Sequence, residues 1–79
     1  MKERVIKNLE ELNKALEEDY TEFSTRGLLN HSYHITFGDE EDTYEVYDLA
    51  DDKTMIMSVE EINEWFEKNF TNETFIAEN

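Results

Sequence analysis

The chain has 79 residues, no cysteine and a formal net charge of −14, with 38% hydrophobic and 13% aromatic residues. That length holds one domain, residues 1–79, close to the smallest core that stands without staples. The lack of cysteine excludes disulfides and thiolate chemistry and fits a reducing cytoplasm. Five Phe, four Tyr and one Trp supply enough apolar surface to set the chain apart from charge-rich disordered segments.

Val5, Leu9, Leu12 and Leu16 recur at helical spacing, with Ile6 and Ala15 widening the stripe, and predict an amphipathic helix over about 2–18. Its end is indistinct, because Glu17, Glu18 and Asp19 oppose the helix dipole. Residues 19–32 read either as a short strand at about 20–25 or as a packed loop. From Tyr33 the period becomes two: Tyr33, Ile35 and Phe37 alternate with polar residues, then Gly38 to Asp42 make a turn. A second strand spans Thr43 to Leu49, with Tyr44 and Val46 on one face and Glu45 and Tyr47 on the other. Residues 50–53 turn again, and Thr54 to Met57 form a third strand. Ser58-Val59-Glu60-Glu61 matches a capping box opening a helix over about 59–69, whose stripe is Val59, Ile62, Trp65 or Phe66, and Phe70. Residues 74–77 form an edge strand or an irregular arm. The expected fold is α+β: a small antiparallel meander of three to four strands packed with an N-terminal and a C-terminal helix.

Several chemistries lack their residues. A calcium loop counted from Asp39 has Tyr44 where glycine is required and Ala50 where the last acid is required. His31 and His34 point to opposite faces if they lie on a strand, and no third His or any Cys completes a metal site. No glycine-rich phosphate loop or nucleophile elbow occurs. The sequence therefore predicts neither enzyme nor cofactor, and its charge opposes direct binding of nucleic acid or an anionic membrane. No apolar run approaches the length of a membrane span.

Charge placement is the informative feature. Residues 1–14 carry a net +1 and the remaining 65 a net −15, and eight of the fourteen residues from Asp39 to Asp52 are acidic with none basic. Such a ridge competes for a cleft whose Arg and Lys side chains are built for phosphate. The expected contacts are Asp39, Glu40, Glu41, Asp42, Glu45, Asp48, Asp51 and Asp52, with Tyr44 and Tyr47 as anchors and Glu60, Glu61, Glu64 and Glu67 extending the ridge along the second helix. A short, cysteine-free, acidic α+β chain with a DEED-type turn resembles the small phage-encoded inhibitors of host defence, the anti-CRISPR and DNA-mimic antirestriction proteins. The resemblance lies in size, charge and element order. It implies a cytoplasmic inhibitor, in the host cell if phage-encoded, that docks on a basic nucleic-acid-binding protein such as a CRISPR effector nuclease or restriction complex and blocks DNA entry. The near-neutral first helix would then be scaffold. The alternative is an accessory domain, monomeric or dimeric, that docks through Trp65, Phe70 and Phe75 and uses its acids for solubility.

Overall fold

A computed structural model describes residues 3–27, 30–70 and 73–78. The elements run β1 (Glu3–Ile6), α1 (Leu9–Glu17), β2 (Glu22–Arg26), β3 (Ser32–Phe37), β4 (Thr43–Asp48), β5 (Lys53–Ser58), α2 (Val59–Asn69) and β6 (Thr74–Glu78). The fold is α+β. One six-stranded antiparallel sheet, ordered β1-β6-β2-β3-β4-β5, replaces the smaller meander expected from the sequence.

The first correction lies at the N-terminus, where the expected helix over 2–18 is a strand followed by a shorter helix. Asn8 adopts extended backbone and its side chain accepts from the Glu11 amide at 2.9 Å, while the Glu11 carboxylate accepts from the Lys7 amide at 2.9 Å. The first contact satisfies an amide that the helix end leaves orphaned and the second ties the incoming chain to the first turn, so α1 starts after Asn8. β-Branched Val5 and Ile6 suit the strand before it. Ile6 enters the core, whereas Val5 lies on the opposite face.

α1 closes on a left-handed corner at Asp19 (φ 67°). The Asp19 amide donates to Leu16 and the Tyr20 amide to Ala15, the pair of bonds that satisfies last-turn carbonyls. Arg4 on β1 forms an ion pair with Glu18 and offsets the acids at the negative helix end.

Of the two readings of residues 19–32, the strand is present as β2, Glu22–Arg26, buried at Phe23 and Thr25. β2 through β5 then form consecutive antiparallel hairpins. β6 is not an edge strand: it is inserted between β1 and β2 and pairs with both. Since β6 is antiparallel to each, β1 and β2 run parallel, joined through α1; β5 and β6 likewise run parallel, joined through α2.

One sheet face carries Ile6, Phe23, Tyr33, Ile35, Tyr44, Val46, Met57, Phe75 and Ala77, and these join Leu12, Ala15, Leu16 and Ile62 of the helices in one core. Half-buried Trp65, Phe66 and Phe70 all pack onto it, so both α2 aromatics face the sheet. Phe75 is the hub. Its ring centroid lies 5.0 Å from Phe66, 4.9 Å from Phe70 and 5.7 Å from Phe23.

The other face is open to solvent. Ile76 lies on it yet is only 6% exposed, and Arg26 on β2 spans the β6 row beside it to form an ion pair with Glu3 on β1.

The capping box at α2 is present in both directions, Glu61 N–H to Ser58 Oγ at 3.2 Å and Ser58 N–H to Glu61 Oε1 at 3.1 Å. Ser58→Ala is expected to cost about 1 kcal/mol in urea unfolding followed by circular dichroism. An unchanged midpoint would show that packing alone starts α2.

Candidate acidic interface

Strand direction determines where the acids collect. The β3–β4 turn, the end of α1 and the start of α2 all lie at one end of the sheet. A groove of about 390 Å³ runs between α1 and the turn, lined by Glu17 and Asn13 on one side and Asp39, Glu40, Glu41 and Asp42 on the other. Asp42 also lines a second groove with Ser58, Val59 and Glu60. Carboxylates from three elements thus share one pole, and among the described residues no Lys or Arg lines either groove.

The turn that carries them is tightly built. Gly38 N–H donates to the Thr43 carbonyl at 2.8 Å and Thr43 Oγ1 donates to the Glu40 carbonyl at 2.7 Å. A Cβ at Gly38 would stand 2.2 Å from Thr43 Oγ1, so only glycine fits there. Asp42 closes the turn at φ 58°. Asp39, Glu40, Glu41 and Asp42 are all exposed.

The predicted ridge is divided by the strand between its two turns. Asp51 and Asp52 sit at the opposite end of β4, roughly 17–20 Å away at ~3.4 Å per residue. Glu45, exposed on the open face, and Tyr47, half-buried on that face, lie between them. The Tyr47 hydroxyl donates to Asp52, which raises the phenol pKa.

Two predicted contacts point inward. Tyr44 is 4% exposed in the core, and its hydroxyl donates to Asn13; burial raises its pKa. Asp48 is 8% exposed, and its Oδ1 accepts the amides of Ala50 at 2.9 Å and Asp51 at 3.2 Å. Both are structural: Tyr44 ties β4 to α1, and Asp48 shapes the β4–β5 turn. On α2, Glu60 joins the acidic pole, Glu61 is held by the cap, and Glu64 lines a separate groove beside β5. Glu17, separated in sequence from the acidic run by β2 and β3, joins the pole through the fold alone.

The apolar alternative changes as well. Phe75 is 2% exposed, and Trp65 and Phe70 pack against it edge-on or tilted, so these rings fill the core under α2. The two histidines separate as a strand predicts. His34 is exposed on the open face, 4.0 Å from Glu22, whereas half-buried His31 places Nδ1 3.2 Å from the Tyr33 hydroxyl. Among the described residues, no group of three or more His, Asp or Glu is arranged to hold a metal ion. No helix among them is long and apolar enough to cross a membrane.

Tyr33 is the most perturbed phenol. Burial first, then the charges of Asp48 and Asp51, push its pKa from 10.0 up to about 12. A raised folded-state value favours the folded form while the phenol is protonated, so this contribution is complete below pH 10 and is lost as pH rises from 10 to about 12. Tyr33→Phe is expected to flatten stability measured by urea unfolding across that window, and an equally steep decline in the variant would assign base sensitivity to other groups.

Compared with known proteins, the chain matches no family model, no curated protein and no solved structure.

Proposed function

We propose that this protein is a non-enzymatic inhibitor that inserts its acidic pole into the basic cleft of a nucleic-acid-binding protein and excludes DNA. A CRISPR effector nuclease or a restriction complex is the partner class that the resemblance implies. The observation supporting this reading is the convergence of Glu17, Asp39, Glu40, Glu41, Asp42 and Glu60 on two adjoining grooves that no basic side chain among the described residues lines. In most exposed surfaces both signs are interspersed; here three elements contribute one sign to one place.

The contact set narrows accordingly. Asp39 to Asp42 form the centre with Glu17 and Glu60 beside them. Glu45, Tyr47 and Asp52 line a second, sparser stripe up the open face, whereas Asp51 lies on the helix-covered side, in a groove with Tyr33 and Trp65. Tyr44 and Asp48 hold the scaffold.

The test is capture from bacterial lysate on the immobilised protein at low and high salt, with and without duplex DNA as competitor. The reading expects a basic nuclease or DNA-binding complex that is shed by salt and displaced by DNA, because exposed charges are screened beyond ~8–10 Å at physiological ionic strength. A partner that resists both salt and DNA would overturn it.

A further inference from the structure

The sheet ends at β5, and the hydrogen-bonding direction along that strand follows from one bond. Gly38 N–H donates to the Thr43 carbonyl, so these residues form a hydrogen-bonded pair in the β3–β4 ladder. Residues of an antiparallel strand bond alternately to either side. Thr43, Glu45 and Tyr47 therefore bond toward β3, while Tyr44, Val46 and Asp48 bond toward their β5 partners Met57, Met55 and Lys53. Thr54, Ile56 and Ser58 direct their backbone groups away from the sheet. The Ser58 amide is satisfied by Glu61. The N–H and C=O of Thr54 and Ile56 form no hydrogen bond to any described residue.

Edges of this kind are normally blunted by shortness, charge, proline or a bulge. β1, the other edge, has four residues and opens on Glu3, which is ion-paired to Arg26. β5 has six residues in unbroken register with β4, and its centre is Met55-Ile56-Met57. Ile56 is 69% exposed on the open face. A groove along this edge has Met55, Met57 and Trp65 as its apolar part and Glu61, Glu64 and Lys68 as its charged part.

We propose that β5 pairs antiparallel with β5 of a second copy about a two-fold axis at Met55, extending two six-stranded sheets into one. In that register Thr54 stands opposite Ile56 of the second copy, and the two exchange both N–H···O bonds. Symmetry repeats the exchange, so all four outward groups on each copy find partners. A one-residue slip would turn Ile56 toward the core face of the other sheet. A centre at Ile56 would pair Thr54 with Ser58, whose amide is already taken. The two Met55 side chains meet on the helix-covered face, closing the groove.

Charge supports the same occupant. The two-fold axis sets the α2 helices antiparallel, with Glu61 and Glu64 of one facing Lys68 of the other. It also sets Lys53 opposite Met57 of the second copy, beside Glu61. A self-complementary patch of this sort is what an isologous interface requires. Each copy carries −14, so overall repulsion opposes the dimer and salt strengthens it. That is the reverse of the salt effect expected for the acidic pole, and the two interactions are separately testable.

Sedimentation velocity over a wide concentration range at low and high salt tests the proposal. The 9.5 kDa chain is expected to shift toward twice that mass with concentration, and further with salt, while Trp65 fluorescence reports closure of the groove. Ile56→Pro removes an amide that makes no bond within the sheet, a position where an edge strand tolerates proline. It is expected to raise the dimer dissociation constant at least about tenfold with unchanged circular dichroism. If that variant misfolds, Ile56→Lys, a charge on the edge, decides instead. A wild-type chain that stays monomeric throughout, or a folded edge variant that dimerises like wild type, would overturn the proposal.

Discussion

Changing Asp39, Glu40 and Glu41 to lysine and Asp42 to asparagine is expected to weaken binding to a basic partner at least about a hundredfold, since like charges across an interface cost several kcal/mol. Three reversals and one neutralisation take the net charge from −14 to −7. Asparagine is chosen at Asp42 because its φ of 58° suits Asn and Asp better than lysine. The fold is expected to persist, since all four side chains are exposed and relieving self-repulsion favours the compact state. The matched single changes separate position from total charge. Glu40→Lys and Glu10→Lys alter net charge equally, but Glu10 lies at the start of α1, 3.8 Å from Lys14, away from the acidic pole. Titration of the captured partner by calorimetry should show a large loss for Glu40→Lys and little for Glu10→Lys. Equal losses would mean that net charge, not the pole, drives association.

Replacing Phe75 with alanine is expected to cost about 3–5 kcal/mol. A 79-residue domain has a total stability of roughly 4–12 kcal/mol at typical values per residue, so the loss removes a quarter or more of the total and moves the urea midpoint sharply down. The size of the effect follows from position. Phe75 stands opposite Ile6 on β1 and Thr25 on β2, and it touches the aromatic rings that α2 lowers onto the sheet. Its removal loosens the N-terminal strand and the C-terminal helix together. Urea unfolding read by Trp65 fluorescence checks this. A loss below about 1 kcal/mol would mean that the cluster collapses onto the gap, contrary to the usual behaviour of close-packed cores.

The regions read best from sequence were those whose signals are local. Alternation from Tyr33 to Met57 and the Ser58 capping box placed β3, β4, β5 and α2 close to where they lie. Alternation also separated Tyr44 from Tyr47, and the structure buries the first and leaves the second on the open face. The misplaced elements depend on distant partners. The apolar spacing from Val5 to Leu16 is continuous across Asn8, and the cap there was outweighed by a periodicity that the strand interrupts. Nothing within residues 74–78 records that they insert between β1 and β2. Asp48 looked like one more surface acid because its partners are the backbone amides of the turn it begins. Of the acidic pole, the Asp39–Asp42 run was legible, whereas Glu17 entered it only through the return of α1 alongside the turn.

The left-handed corners carry a further implication. Among the described residues other than glycine, the chain bends through positive φ at Asp19, Asn30, Asp42 and Asp52. Short side chains that bond their own backbone explain why Asn or Asp occupies such corners. Backbone geometry does not distinguish the two, and Asn30 shows that this fold accepts the neutral form. At the Asp19, Asp42 and Asp52 corners the carboxylate is therefore surplus to the bend it accompanies. The chain keeps a negative charge where its conformation would be served equally well without one, so its acidity cannot be reduced to a by-product of how it turns.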